Sequence, residues 1–404
     1  MELYLQFGWG MKNLVLDFAK EWDNVNVILS PRDITPKQLE SWNKDFVKSE
    51  VFCLFDPQCY FPKSNHKRLS QYNYWNNSMA TNLSSGERYE TTLIRNILHY
   101  NEIIRSKEFI IPAIMRKYDD NWHDRWRSDS IKLIDAARKL VENRSVLLTL
   151  ALPSDLMCQS EDVIEKMIGA SEQYDVDGYY VIIEPPNDQY LVDNPLWLSN
   201  VLQLCAGLKL NSKKVIFGYA NQQMLCLTAA KVDAIASGTY LNVRKFSNKF
   251  EEELEGEIKR KSVWYYYPES LSEYKVSFLD VAFNSKVLDE MKPVEYNNSY
   301  INLIFSGIMP SSTTFNETLA FRHYLDALRQ QAKMCAKDSF KETISANEIL
   351  LETAERRIEF LEKNGVYAQA RNFKDIVDVN RSAIQRLQKT RGFALEYTWN
   401  NMIV

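Results

Sequence analysis

The stretch Asp177-Gly-Tyr-Tyr-Val-Ile-Ile-Glu184 has a polar entry, a run of β-branched and aromatic residues, and an acid just before Pro185-Pro186. It reads as a buried strand. Two similar runs follow, each after a helix-like segment: Lys214-Val-Ile-Phe-Gly-Tyr-Ala-Asn221, then Val232-Asp-Ala-Ile-Ala leading through Ser237-Gly-Thr-Tyr-Leu-Asn-Val-Arg244. Continuous apolar strands alternating with helices are the pattern of a parallel sheet covered on both faces. Polar residues gather where each strand ends, which is where parallel α/β folds place their chemistry.

The same alternation extends back to the N-terminal residues. Strands are expected at Leu3–Trp9, Val25–Ser30, Val51–Phe55, Phe109–Met115 and Val146–Leu152, with helices between them. Thr35-Pro36 pairs an N-cap with a proline in the first turn of a helix, and Ser84 or Ser85 offers a cap for a helix running to Lys107. Eight strand–helix units by about residue 245 are the number and length that close a (β/α)8 TIM-like barrel; a doubly wound open sheet is the competing architecture. The barrel is expected over residues 1–248 and a strand-containing insert over 249–312, with a charged helix at Glu251–Lys261 and strands at Val263–Tyr267 and Val276–Phe283. An α-helical C-terminal region is expected over 313–404. There Leu351, Ala354, Ile358 and Leu361, and then Phe373, Ile376, Ala383 and Leu387, share heptad spacing on either side of Gly365, giving a helical hairpin. Its apolar stripe either packs on the barrel or serves a protein partner or homodimer.

A 404-residue chain with 45% hydrophobic and 25% charged residues has the composition of an ordinary soluble protein. Its net charge of −4 supplies no global attraction to nucleic acid, so any such contact needs a local basic patch. No window approaches the ~20 apolar residues of a membrane span, and the N-terminal residues lack the form of a signal peptide. A cytoplasmic location without membrane contact is the expectation. The cysteines at 53, 59, 158, 205, 226 and 335 sit in apolar segments and form no CxxC pair, which argues against structural zinc. No glycine-rich phosphate loop is present, and no cofactor is expected.

On the barrel reading, the C-terminal rim collects Gly8, Trp9, Arg32, Asp33, Asp56, Gln58, Glu184, Tyr219, Asn221, Ser237, Thr239, Asn242 and Arg244. Asp56 and Glu184, on different strands, are the candidate acid/base pair, because a partly dry pocket can keep one carboxyl protonated while another stays ionised. Each also has a structural alternative: Asp56 can shape a turn before Pro57, and Glu184 can pair with Arg32. Arg32 and Asp33 can form a loop-positioning ion pair, and Asn221 can cap the helix that follows it. The long loop after the third strand contains His66, Tyr72, Tyr74 and Trp75, with Tyr74 and Trp75 placed either to stack on a flat substrate or to cover a pocket mouth. Arg244, Lys245 and Lys249, with Lys259-Arg-Lys261, form a modest basic cluster suited to phosphate.

These strand endings resemble those of the tRNA-guanine transglycosylase superfamily, including its DNA-deazapurine modification branch, whose barrels exchange guanine in nucleic acid for a 7-deazapurine. Leu54-Phe55-Asp56-Pro57-Gln58 is similar to the family strand that ends in an acid/base aspartate. Asp177-Gly178-Tyr179 leading to Ile183-Glu184 is similar to the strand lining the base pocket. Phe217-Gly218-Tyr219-Ala220-Asn221 and Val232-Asp233 resemble the next units, and Arg244 falls near a family arginine that contacts the nucleic-acid backbone. The resemblance covers residues 1 to 250 and breaks at three points. The family's nucleophilic aspartate would fall at Ala236 or Ser237, the glutamine ending the fifth strand is missing from Thr149–Pro153, and the zinc-binding cysteine cluster after the barrel is absent.

The resemblance implies a transglycosylase-like enzyme on a guanine or 7-deazapurine base in tRNA, DNA or a nucleoside. Asp56 would be its acid/base or nucleophile and Glu184 its substrate-activating group. Arg32, Asp33, Gln58, Tyr74, Trp75, Tyr219, Asn221 and Ser237 would bind substrate, and Arg244, Lys245 and Lys249 would bind nucleic acid. The alternatives are a catalytically silent binding subunit of a larger assembly and a barrel hydrolase of a small polar substrate. Large side chains filling the barrel mouth would favour the silent reading.

Overall fold

The computed structural model describes residues 1–62, 66–75, 89–247, 262–296 and 298–402. The expected helix cap at Ser84 or Ser85, the helix at Glu251–Lys261 and Lys249 lie outside the described residues. Eight parallel strands form one sheet: β1 (Glu2–Gln6), β2 (Val25–Leu29), β3 (Val51–Phe55), β4 (Glu108–Ile111), β5 (Ser145–Leu152), β6 (Gly178–Ile183), β7 (Lys214–Phe217) and β8 (Ala234–Ser237). Their order, β3-β2-β1-β8-β7-β6-β5-β4, sets β1 beside β8, so the sheet curls into a nearly closed TIM-like barrel. β3 and β4, the two ends of this order, lie side by side along the remaining seam.

Helices alternate with the strands: α1 (Lys12–Glu21), α2 (Pro36–Lys48), α3 (Tyr89–Ile104), α4 (Trp122–Leu140), α5 (Ser154–Met157), α6 (Glu161–Ser171) and α7 (Pro195–Leu210). Thr35 caps α2 as expected: its hydroxyl accepts from the Gln38 N–H, and the Gln38 side chain reaches back to the Thr35 N–H. The seventh unit ends in a wholly buried 3-10 segment, Gln222–Ala230.

Strand alternation sorts the core into two layers. Tyr4, Ile28, Leu54, Ile110, Leu147, Tyr180, Ile216 and Ala234 point into the barrel, whereas Leu5, Val27, Phe55, Val181 and Ile235 meet the surrounding helices. An interior filled by side chains of this size is a packed core and not a pore.

After the barrel, β9 (Trp264–Tyr267) and β10 (Ser272–Lys275) form an antiparallel hairpin. Val276–Phe283, expected as a strand, is instead the helix α8 (Val276–Asn284). Its buried residues Leu279 and Ala282 are three apart, a helical spacing that the run of apolar residues concealed. α9 (Glu317–Cys335), α10 (Phe340–Lys363) and α11 (Lys374–Thr398) complete the chain, with Gly365 at φ +79° breaking α10 from the hairpin's second arm. All eight heptad residues of the hairpin are buried, and α11 packs along α7. This explains α7, which is apolar on every face and buried from Trp197 to Lys209: barrel on one side, hairpin on the other. Gln203 of α7 fixes the register, donating to Thr390 Oγ1 at 2.6 Å and accepting from Arg391 Nε at 2.8 Å.

Among the described residues, no helix is long and apolar enough to cross a membrane.

Candidate functional site: a buried carboxylate among tyrosines

β3 delivers Asp56 into the barrel one residue past its last hydrogen-bonded position, and the Asp56 N–H donates to the Leu29 carbonyl of β2. The carboxylate is 1% exposed, and among the described residues no lysine or arginine bonds to it. Tyr60 donates to both carboxylate oxygens at 2.8 Å, and the Gln58 N–H donates at 2.9 Å. Tyr180 of β6 and Tyr219 beyond β7 each place a hydroxyl 3.3 Å from Oδ2. Thus β3, β6 and β7 bring side chains together inside the barrel, β6 through Tyr180 in mid-strand and not through Glu184 at its end.

Gln6 of β1 accepts from Tyr180 at 3.1 Å, and its own Nε2 is buried without a partner among the described residues. Gln58 donates to Ser30 Oγ at 2.6 Å and to Tyr219 at 3.1 Å, while accepting from the Arg32 N–H at 2.9 Å. Burial pushes the Asp56 carboxyl up to about 6, even though the tyrosine and Gln58 donors favour its ionised form.

Backbone geometry makes room for this cluster. A Cβ on Gly218 would come within 2.7 Å of the Tyr180 ring, so only glycine lets β7 pass beside that tyrosine. The next residue, Tyr219, holds a left-handed φ of +54°, an uncommon conformation that turns its ring inward. Phe246 closes the top, edge-on to Tyr60 at 5.2 Å and to Tyr219 at 5.5 Å.

The other expected site residues lie elsewhere. Glu184 is not among Asp56's hydrogen-bond partners. Its carboxylate accepts from the Ser154 N–H at 3.3 Å and its carbonyl from Trp197 Nε1 at 3.1 Å, bracing the ends of β5 and β6. Asp33 accepts from Ser30 Oγ at 2.9 Å and belongs to the loop framework with Arg32. Asn221 caps the 3-10 segment, accepting from the Gln223 N–H at 2.9 Å. Tyr74 and Trp75 are buried outside the barrel wall: Tyr74 packs edge-on against Phe55 and Tyr100 and donates to the Pro57 carbonyl at 3.0 Å, so neither ring is presented for stacking. Ser237 follows the outward parity of Ile235, beneath Tyr324 of α9, and not the inward parity of Ala234 and Ala236.

Arg244 is not part of a surface patch either. It is 2% exposed, donates to the Glu273 carboxylate at 3.0 Å and lies 3.4 Å from the Tyr324 ring centre. Arg371, arriving from the C-terminal region, donates to the same Glu273 oxygen at 2.7 Å, and Tyr190 donates to the other at 2.9 Å. Burial alone would raise the Glu273 carboxyl, but the two guanidiniums overcome it and hold the group below its usual range. Lys245 pairs with Asp188 at 2.8 Å.

Residues missed in the sequence are Gln6, Tyr60 and Tyr180 at the Asp56 centre, and Glu273 and Arg371 at the arginine centre. Gln6 left a signal: it is a polar side chain at the inward position of an otherwise apolar strand. Comparison with protein-family models finds no match, and comparison with curated proteins finds none, so the functional argument rests on this geometry.

Proposed function

We propose that this barrel is an acid–base enzyme of transglycosylase type, acting on the glycosidic bond of a guanine or 7-deazapurine in nucleic acid or a nucleoside. The observation that carries the reading is the Asp56 centre: a buried carboxyl with no cationic partner among the described residues, at the C-terminal end of a barrel, surrounded by polar side chains from β1, β2, β3, β6 and β7. Such a group costs stability, and perturbed carboxyls of this kind concentrate at functional sites.

With its carboxyl at about 6, Asp56 is poised to give a proton to a departing base and take one back from an incoming base near neutral pH. Tyr60, Tyr180 and Tyr219 hold the ionised form. Ala236 offers no nucleophile on β8, so no covalent adduct forms there. Substrate reaches Asp56 only when Tyr60 and Phe246 swing aside.

The test is exchange of labelled guanine into tRNA, DNA and nucleosides. Asp56→Asn should lower the rate by about 10²-fold or more. Full activity in that variant would remove Asp56 from the mechanism.

Two observations favour the second reading, a silent subunit. Tyr60, Tyr219 and Phe246 fill the mouth, and α11 exposes Phe393 and Tyr397, which are 88% and 80% accessible and four residues apart on one face. Lys389 and Glu396 flank them, so two copies of α11 crossing antiparallel would oppose unlike charges across a twofold axis. On this reading wild-type protein shows no exchange and sediments as a dimer, which Phe393→Ala with Tyr397→Ala converts to monomer.

A further inference from the structure

A cavity of about 190 Å3 lies away from Asp56, between the ends of β4 and β5 and the helices α3 and α4. Its wall is mainly apolar, formed by Leu93, Ile114, Trp122, Trp126, Leu133 and Leu148. The two tryptophans stand one turn apart on α4 with nearly parallel rings, 13° between planes, and both line the cavity.

The polar groups of the wall divide into satisfied and unsatisfied ones. Arg116 and Asp129 pair with each other at 2.6 Å, Trp122 Nε1 donates to the Arg116 carbonyl at 3.3 Å, and Thr149 donates to the Ile111 carbonyl at 2.6 Å. Trp126 Nε1 and Tyr89 Oη are buried with no hydrogen-bond partner among the described residues. Buried donors are ordinarily paired, and Trp126 Nε1–H can do nothing except donate. With Trp122 satisfied one turn away on the same helix, an orphaned donor is not a general consequence of this packing.

From these features we infer that the cavity is a binding site for a neutral, flat heteroaromatic of two fused rings, with a ring-nitrogen or carbonyl acceptor facing Trp126 and Tyr89. Size sets the first limit: a dry apolar cavity of ~150 Å3 accommodates a single benzene ring, so this one has room for a second fused ring. Charge sets the next. Arg116 and Asp129 neutralise each other, and the remaining charged group of the wall is the Glu90 carboxylate, which disfavours an anion. A mainly apolar wall with a few polar groups is the usual composition of small-molecule pockets. The site shares no residue with the Asp56 cluster, so it stands whether or not the barrel interior is catalytic.

The experiment titrates the full chain with quinoline and with indole, two fused-ring probes of similar size, the first carrying a ring-nitrogen acceptor and the second only an N–H donor. Calorimetry or ligand-observed NMR should show tighter binding of quinoline. Trp126→Phe keeps the aromatic wall and removes the donor. It should weaken quinoline by about 5–10-fold, the worth of one neutral hydrogen bond, and leave indole within about twofold. Ala113→Phe, which fills the cavity from the β4 side, should abolish both. Three results would overturn the assignment: no binding of quinoline at millimolar concentration, equal sensitivity of the two probes to Trp126→Phe, or undiminished binding in a folded Ala113→Phe variant. If Ala113→Phe fails to fold, the Trp126 comparison decides alone.

Discussion

Asp56 and Glu273 are both buried carboxylates, 1% and 2% exposed, and they respond to burial in opposite directions. Among the described residues Asp56 has only neutral donors, three tyrosines and a backbone N–H, and its carboxyl rises to about 6. Glu273 has the guanidiniums of Arg244 and Arg371, and its carboxyl falls. Depth is therefore not the deciding variable. Full counter-charges repay desolvation, whereas hydroxyl dipoles repay only part of it. The first arrangement leaves a proton free to move near neutral pH. The second fixes its charges and ties β8, the β9–β10 hairpin and the C-terminal region together.

The sharpest way to break this contrast is to remove the fixed charge. Glu273→Ala leaves the buried Arg244 guanidinium without its carboxylate and beside the partly buried Arg371, and should cost about 3–5 kcal/mol in urea unfolding. A loss under about 1 kcal/mol would show that water reaches the site and that the pair is ornamental.

The next test is pH. A carboxyl raised in the folded state contributes stability that is present below its unfolded value and is lost as pH rises through its folded value. For Asp56 that means a loss of about 3 kcal/mol between pH 4 and 6. His323 runs the other way. Burial lowers it to about 4, even though the Nε2 bond to the Tyr266 carbonyl favours the charged ring. Its stability is lost as pH falls from 6.5 towards 4, again by about 3 kcal/mol. The two slopes oppose each other across the same window. Asp56→Asn should unmask a steeper acid loss, and His323→Gln should unmask a decline towards neutral pH. Melting temperature against pH for both variants reads this directly; parallel curves would refute it.

Two smaller changes sharpen the Asp56 side. Gly218→Ala drives a methyl into the Tyr180 ring and should cost about 1–3 kcal/mol, with Tyr180 displaced from Oδ2. Tyr60→Phe removes the donor shared by both carboxylate oxygens and should cost about 1 kcal/mol while moving the Asp56 carboxyl further up, visible by carboxyl infrared titration.

Much of the barrel was legible because its signals are local: apolar runs of strand length, a capping box at Thr35–Gln38, and Gly365 after a heptad stripe. Asp56, Gln58 and Tyr219 were legible for the same reason, being polar or turn residues at strand ends. Tyr180 was not, because a tyrosine within Gly-Tyr-Tyr-Val-Ile-Ile looks like filler until the close passage of Gly218 shows which way its ring points. Ser237, expected to bind substrate, turns outward, and β8 is only four residues long and buried throughout, leaving no polar alternation to reveal parity. Glu273 and Arg371 are 98 residues apart, and no short-range pattern links them. Tyr74 and Trp75 carried composition but no direction, and their burial depends on Phe55 and Tyr100 arriving from β3 and α3.

The enclosure of α7 on all sides has a consequence for synthesis on the ribosome. The barrel's last strand emerges roughly 160 residues before α11 is complete. At ~5–20 residues per second, the apolar back of α7 waits about 8–30 s for its cover. During that interval a nascent chain holding every barrel strand still leaves the Gln203 side of α7 without its cover, a natural landing place for a chaperone. Stalled nascent chains ending before Lys374 should recruit trigger-factor-type holdases, and those ending after Thr398 should release them.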